Sequence, residues 1–267
     1  MRKNILTVLL LFTLLLSATA CGLLQEPAAP SATIEAVPLD IEEADEPAVV
    51  EEPTEAAEEP PVELDESEET EAETDASTEE TAVETDAAAG VTIFEISQSE
   101  SEVRFELDED LRGSRLTVVG TTNQVAGQIG LDFGDLSTAQ VGEIQINART
   151  LATDNNFRNR AIQNEILDTG AYEFISFVPT AVNGLPASAA VGEEISFTID
   201  GNLTIRDITE PVTFSVVATA VSDSQISGTA TATVLRETYG LTIPEVPNVA
   251  NVENEVDLII TFVANAS

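Results

Sequence analysis

From Val91 onward the chain alternates apolar and polar residues with the period of a β-strand that buries one face. "VRFEL" places Val103, Phe105 and Leu107 on one side and Arg104 and Glu106 on the other. "VAGQIGLDF" groups Val125, Ile129, Leu131 and Phe133, and "EIQINA" pairs Ile144 with Ile146. "ISFTIDGNLTI" aligns Ile195, Phe197, Ile199, Leu203 and Ile205, and "VTFSVVA" aligns Val212, Phe214 and Val216. "GTATATV" offers Ala230, Ala232 and Val234, and "VDLIITFVA" offers Val256, Leu258, Ile260 and Phe262. Turn-forming clusters at 108–113, 183–186, 207–211 and 222–224 separate these runs. No long helical period lies between them, which argues against parallel βαβ units. Seven or eight antiparallel strands with one apolar face leave two solutions, a sandwich or a closed barrel.

One stretch breaks the pattern. "ATDNNFRNRAIQNEILD", 152–168, is amide-rich and reads as a short helix that Asp154 or Asn155 can cap. Phe157, Ala161 and Ile162 are expected to share its apolar stripe, with Arg158, Asn159 and Gln163 pointing elsewhere. Such a helix suits two compatible roles: a plug over apolar strand ends, or a lid at the mouth of a cavity. The inward set also contains Gly127, Gly201, Gly228, Ala230 and Ala232. Small inward residues either leave volume for a ligand or let opposite side chains pack closely, and periodicity does not choose between these.

Composition divides the chain. Residues 22–90 hold 24 Asp and Glu and no Lys or Arg, amid Ala, Pro, Thr and Ser. A stretch with so few apolar residues is expected to stay disordered as a solvated spacer, spanning about 45 Å on average. Residues 91–267 carry 25 acids against 8 dispersed arginines, so no basic patch for nucleic acid can be read. Histidine is absent, which excludes His-dependent triads and imidazole metal sites. No motif calls for a metal, a cofactor or a catalytic residue, and the chain does not read as an enzyme.

The N-terminus reads as an address. Arg2 and Lys3 precede an apolar core from Ile5 to Leu16, then "SATA" and Cys21, the only cysteine. The arrangement resembles a bacterial lipoprotein signal over 1–20, although Ala18 stands where Leu is usual. That resemblance implies export and acylation of Cys21, and so a membrane partner through the anchor, at the cell or outer membrane facing the periplasm or exterior. Residues 21–90 would then be lipidated cysteine plus acidic tether, and 91–267 the folded domain.

Several segments of that domain, in order, resemble one family. They are "SEVRFEL", "VVGTTNQVAGQIGLDF", "INARTLATDNNFRNRAIQNEIL", "YEFISFVPT", "GNLTIRDITEPVTF" and "YGLTIPEV…VENEVDLIITFVA". Together they look like the YceI-like, or lipid/polyisoprenoid-binding, family. The resemblance implies an all-β, lipocalin-like eight-stranded antiparallel barrel with one short helix. It also implies a long isoprenoid or other lipid as partner, such as a quinone or polyprenyl lipid, held in an apolar cavity without enzymatic activity. Under that expectation the cavity is lined by the inward residues Val103, Phe105 and Leu107, Ile129 and Leu131, Ile144 and Ile146, Phe197 and Ile199, Phe214 and Val216. Phe157, Phe177 and Leu241 join them, and Arg158, Arg160, Arg206 and Arg236 are candidates for the ligand's polar end. The chain departs from the family at Tyr172–Glu173, at Asp207 and in lacking His, so the headgroup does not carry over. The alternative is a ligand-free envelope lipoprotein whose filled barrel presents loops to a partner.

Overall fold

A computed structural model describes residues 25–31, 34–39 and 90–267. Cys21, the expected leader over 1–20 and most of the acidic stretch lie outside the described residues. The alternating runs form antiparallel strands: β1 (Thr92–Ile96), β2 (Glu102–Leu111), β3 (Ser114–Thr122), β4 (Val125–Ala126), β5 (Gln128–Asp132), β6 (Asp135–Val141) and β7 (Ile144–Asn147). After the helical stretch come β8 (Phe174–Asn183), β9 (Glu194–Ile205), β10 (Ile208–Ser222), β11 (Gln225–Leu235), β12 (Val249–Ala250) and β13 (Glu255–Ala266).

Register reduces these short pieces to eight lanes. β1 and β2 run in series along one edge of β13, pairing Ile96 with Ala264 and Val103 with Ile260. β3, β4 and β5 form the next lane, because β3 pairs β2 and β5 pairs β1. β6 and β7 return as a third lane against β5 and β4. β8, β9, β10, β11 and β13 then follow, each hydrogen-bonded to its neighbour. Since the eighth lane pairs the first, the sheet closes into an up-and-down barrel, which leaves few unpaired edges. The expected lipocalin-like fold is therefore present. Its seam is loosest beside β6, where the backbone bonds Leu136 N–H to Ala187 O and Ala189 N–H to Phe133 O replace a ladder.

The break in alternation at 152–168 is a helix, as expected. Helix α1 (Asn156–Ala161) runs into a π-helical turn, Ile162–Ile166. Asn155 is the cap, its side chain accepting from Phe157 N–H and Arg158 N–H.

Part of the acidic stretch departs from the expected free coil. Residues 25–31 and 34–39 lie along the outside of the barrel as a strap. Asn164 Nδ2 donates to Gln25 O at 2.8 Å, and Arg149 Nη1 to Ala29 O at 3.1 Å. The Ser31 amide donates to Glu173 at 2.8 Å and its hydroxyl at 2.5 Å. Gln98 Nε2 reaches Ile34 O, and Leu39 N–H reaches Gln128 Oε1. Ile34 is buried, which supplies the apolar contact that the acidic composition otherwise lacks. Burial alone would raise the Glu173 carboxyl's pKa. The hydrogen bonds from Ser31 and Asn147 and the charge of Arg149 outweigh it, and the pKa is lowered.

Candidate functional site: a two-chamber apolar interior

The inward faces line two partly open cavities, of about 110 Å³ and about 190 Å³. The first chamber is lined by the predicted residues Ile129, Leu131, Ile144, Phe197, Ile199 and Val216. The second, beneath α1, is lined by Val103, Phe105, Leu107, Ile146 and Leu241. Phe177, Phe214 and Ile260 line both. The Phe177 and Phe214 rings meet edge-on, centroids 4.9 Å apart at 71°, and form a waist between the chambers.

The small inward residues divide in role. A Cβ at Gly201 would lie 2.4 Å from the Phe177 ring, and one at Gly120 2.2 Å from Phe105. These glycines let aromatic rings lie flat on the neighbouring backbone, so they pack rather than hollow the barrel. Ala230 instead lines the first chamber, where its methyl leaves space open. The hollow thus comes from alanine and from the spacing of rings, not from glycine.

Phe157 does not line either chamber; it is 66% exposed. The inward stripe of the helix is Arg158, Ala161 and Ile162, spaced i, i+3, i+4, and Phe157 lies a residue earlier, turned away from it. The expectation that Arg158 points elsewhere is reversed for the same reason. Its Nη2 lies 2.9 Å from Glu109 Oε1 and its Nη1 2.6 Å from Asp154 Oδ1. Glu109 is buried at the wall of the second chamber. It continues the register of Val103, Phe105 and Leu107 by one more step of two, a signal the sequence carried.

The other arginines separate. Arg236 lines the second chamber, but its Nε donates to Glu253 O and its Nη1 to Leu241 O, bracing the loop there. Arg206 and Arg160 line neither chamber. Arg206 sits at positive φ in the β9–β10 turn, with its guanidinium 5.8 Å over the Tyr172 ring and Nη1 3.4 Å from Ile166 O. These contacts hold the turn against the helix.

One polar group went unread in the sequence. Tyr239, in the 3₁₀ turn Arg236–Tyr239, is buried on the second chamber's wall, and its hydroxyl has no hydrogen-bond partner. Burial, and then the charge of Glu210, push its pKa up to about 12, so it is a neutral donor at ordinary pH. Polar groups therefore gather at the helix end of the interior, while the first chamber is apolar but for Glu193 and Thr219. Among the described residues, no acidic or sulfur cluster is arranged to hold a metal ion.

The model of the YceI-like domain matches residues 94–264. A polyisoprenoid-binding domain from Saccharophagus degradans, implicated in plant cell wall breakdown, superposes with a TM-score of 0.52 at 13% identity, covering 65% of this chain and 98% of that one. Burkholderia cenocepacia BcnA gives a TM-score of 0.51 at 17% identity, covering 64% and 99%. No curated protein matches the sequence.

Proposed function

The chain belongs to the YceI-like domain family, and from that premise we propose that it is a binding protein for a long apolar amphiphile, of the isoprenoid quinone or polyprenyl lipid class. The observation that carries this reading is the interior: two largely apolar chambers, both lined by Phe177 and Phe214, with most of the polar groups at the helix end. The ligand's tail runs through the waist into the first chamber. Its headgroup lies in the second, whose wall carries Tyr239 and Arg158. The similarity to a polyisoprenoid-binding domain supports the same class. Cys21, acylated after export, holds the protein at a membrane that supplies the ligand.

Magnitudes explain why a long tail is needed. Burying one five-carbon isoprene unit contributes roughly 4 kcal/mol gross, at ~0.8 kcal/mol per carbon. Immobilising the ligand costs about 4–15 kcal/mol. Several units must therefore enter before binding becomes favourable. The test is a series of quinones with one ring and tails of increasing length, titrated against a bound apolar fluorophore. Displacement should strengthen steeply with each added unit. Equal affinity for tailless and long-tailed quinones would contradict the proposal and favour a ligand-free scaffold.

A further inference from the structure

The acidic stretch was expected to separate the anchor from the barrel by tens of ångströms, but the strap removes that separation. Gln25 is fastened to Asn164 in the π-helical turn that follows α1, at the helix end of the second chamber. Cys21 precedes Gln25 by four residues, a reach of at most about 14 Å. The acidic run comes after the strap, between Leu39 and Gly90, so it does not lie between anchor and barrel. The same end of the barrel carries unpartnered apolar side chains. Phe157 on α1 is 66% exposed, and Val246 is exposed in the loop 241–248, whose Leu241 and Ile243 line the second chamber. Of the two arginines on α1, Arg158 is paired with Glu109 and Asp154, and Arg160 lines neither chamber.

We propose that α1 and the loop 241–248 are the surface by which the barrel rests on a lipid bilayer, held there by acyl chains on Cys21 acting through the strap. The second chamber is then the one nearer the membrane, and Phe157 enters the boundary between headgroups and acyl chains, as the apolar face of an interfacial helix does. The strap, not the acidic run, sets the orientation: Ile34 and the Ser31–Glu173 bonds hold the chain to the barrel wall, and Asn164 fixes its first residue. This inference rests on the lipoprotein reading of Cys21.

The test uses the full chain, exported with its own leader and reconstituted in phosphatidylcholine vesicles containing a headgroup-nitroxide lipid. One environment-sensitive dye is placed by Phe157→Cys and, in a second protein, by Val191→Cys, in the loop at the first-chamber end. Quenching at position 157 should exceed that at 191 by about threefold or more, as for a side chain seated in the interface. Ile34→Asp added to Phe157→Cys should abolish the difference by freeing the strap, and circular dichroism checks that the barrel persists. Equal quenching at the two positions, or quenching at 157 that survives Ile34→Asp in a folded barrel, overturns the inference. Intact mass measurement separates the two readings. Acylated protein with equal quenching defeats only the orientation, whereas an unmodified Cys21 defeats both.

Discussion

Replacing Ala230 with Leu distinguishes a hollow barrel from a filled one by the sign of a stability change. Ala230 on β11 faces Val216 across one strand pair and Ile260 across the other, and all three line the first chamber. Leucine adds three carbons, each filling about the ~30 Å³ share of one water molecule. The chamber offers about 110 Å³, so the isobutyl group has room. Filling it gains roughly 2.4 kcal/mol of burial at ~0.8 kcal/mol per carbon, less about 0.5–1 kcal/mol of side-chain entropy. The expected outcome is a protein more stable by ~1–2 kcal/mol in urea unfolding, with weakened uptake of long-tailed ligand. In a core already packed, the same change costs ~1–3 kcal/mol through strain. A loss of unfolding free energy of that size would refute the hollow interior, whatever the binding data showed.

Arg158→Met leaves Glu109 buried without its cation and should cost about 3 kcal/mol in urea unfolding, while the double variant Arg158→Met/Glu109→Leu returns near wild type; a single-variant cost below ~1 kcal/mol would show the pair to be solvated. Phe214→Leu opens the waist, and stopped-flow fluorescence should show faster uptake of long-tailed quinones, by several-fold, with short-tailed ones unchanged; equal acceleration of both would mean that the tail does not pass there. Because the folded-state pKa of Tyr239 lies above its unfolded value of 10.0, the stability its neutral hydroxyl contributes is intact below pH 10 and is lost as pH rises towards about 12. Tyr239→Phe should flatten that part of the stability–pH curve, and an unchanged slope would place the effect elsewhere.

Much of the fold was legible because period-two alternation follows directly from which face of a strand meets water. Val103, Phe105, Leu107, Ile129 and Phe214, which that alternation turns to one face, line the interior chambers. The helix was legible as a break in that alternation, but its phase was not. Over so short a helix a one-residue shift decides which side chain turns inward, and the choice of Arg158 over Phe157 was made by a carboxylate 49 residues away. Glu109 continues the register of Val103, Phe105 and Leu107, but acids are seldom buried without a partner, and its partner Arg158 comes from the helix face expected to point elsewhere. Tyr239 sits in a turn outside any period, so only the three-dimensional path of the chain reveals its burial. The strap was hidden by composition. Its hold on the barrel comes from a few positions, Ser31, Ile34 and Leu39, in a run whose average character argues for coil.

The most direct measurement of the central claim is native mass spectrometry of the purified protein, followed by organic extraction and lipid analysis. The account predicts an adduct of one long-tailed isoprenoid per chain, or its appearance after exposure to such a lipid. It also predicts that Ala230→Leu reduces that adduct. A protein that carries no lipid and takes up none, while still folded, would contradict it.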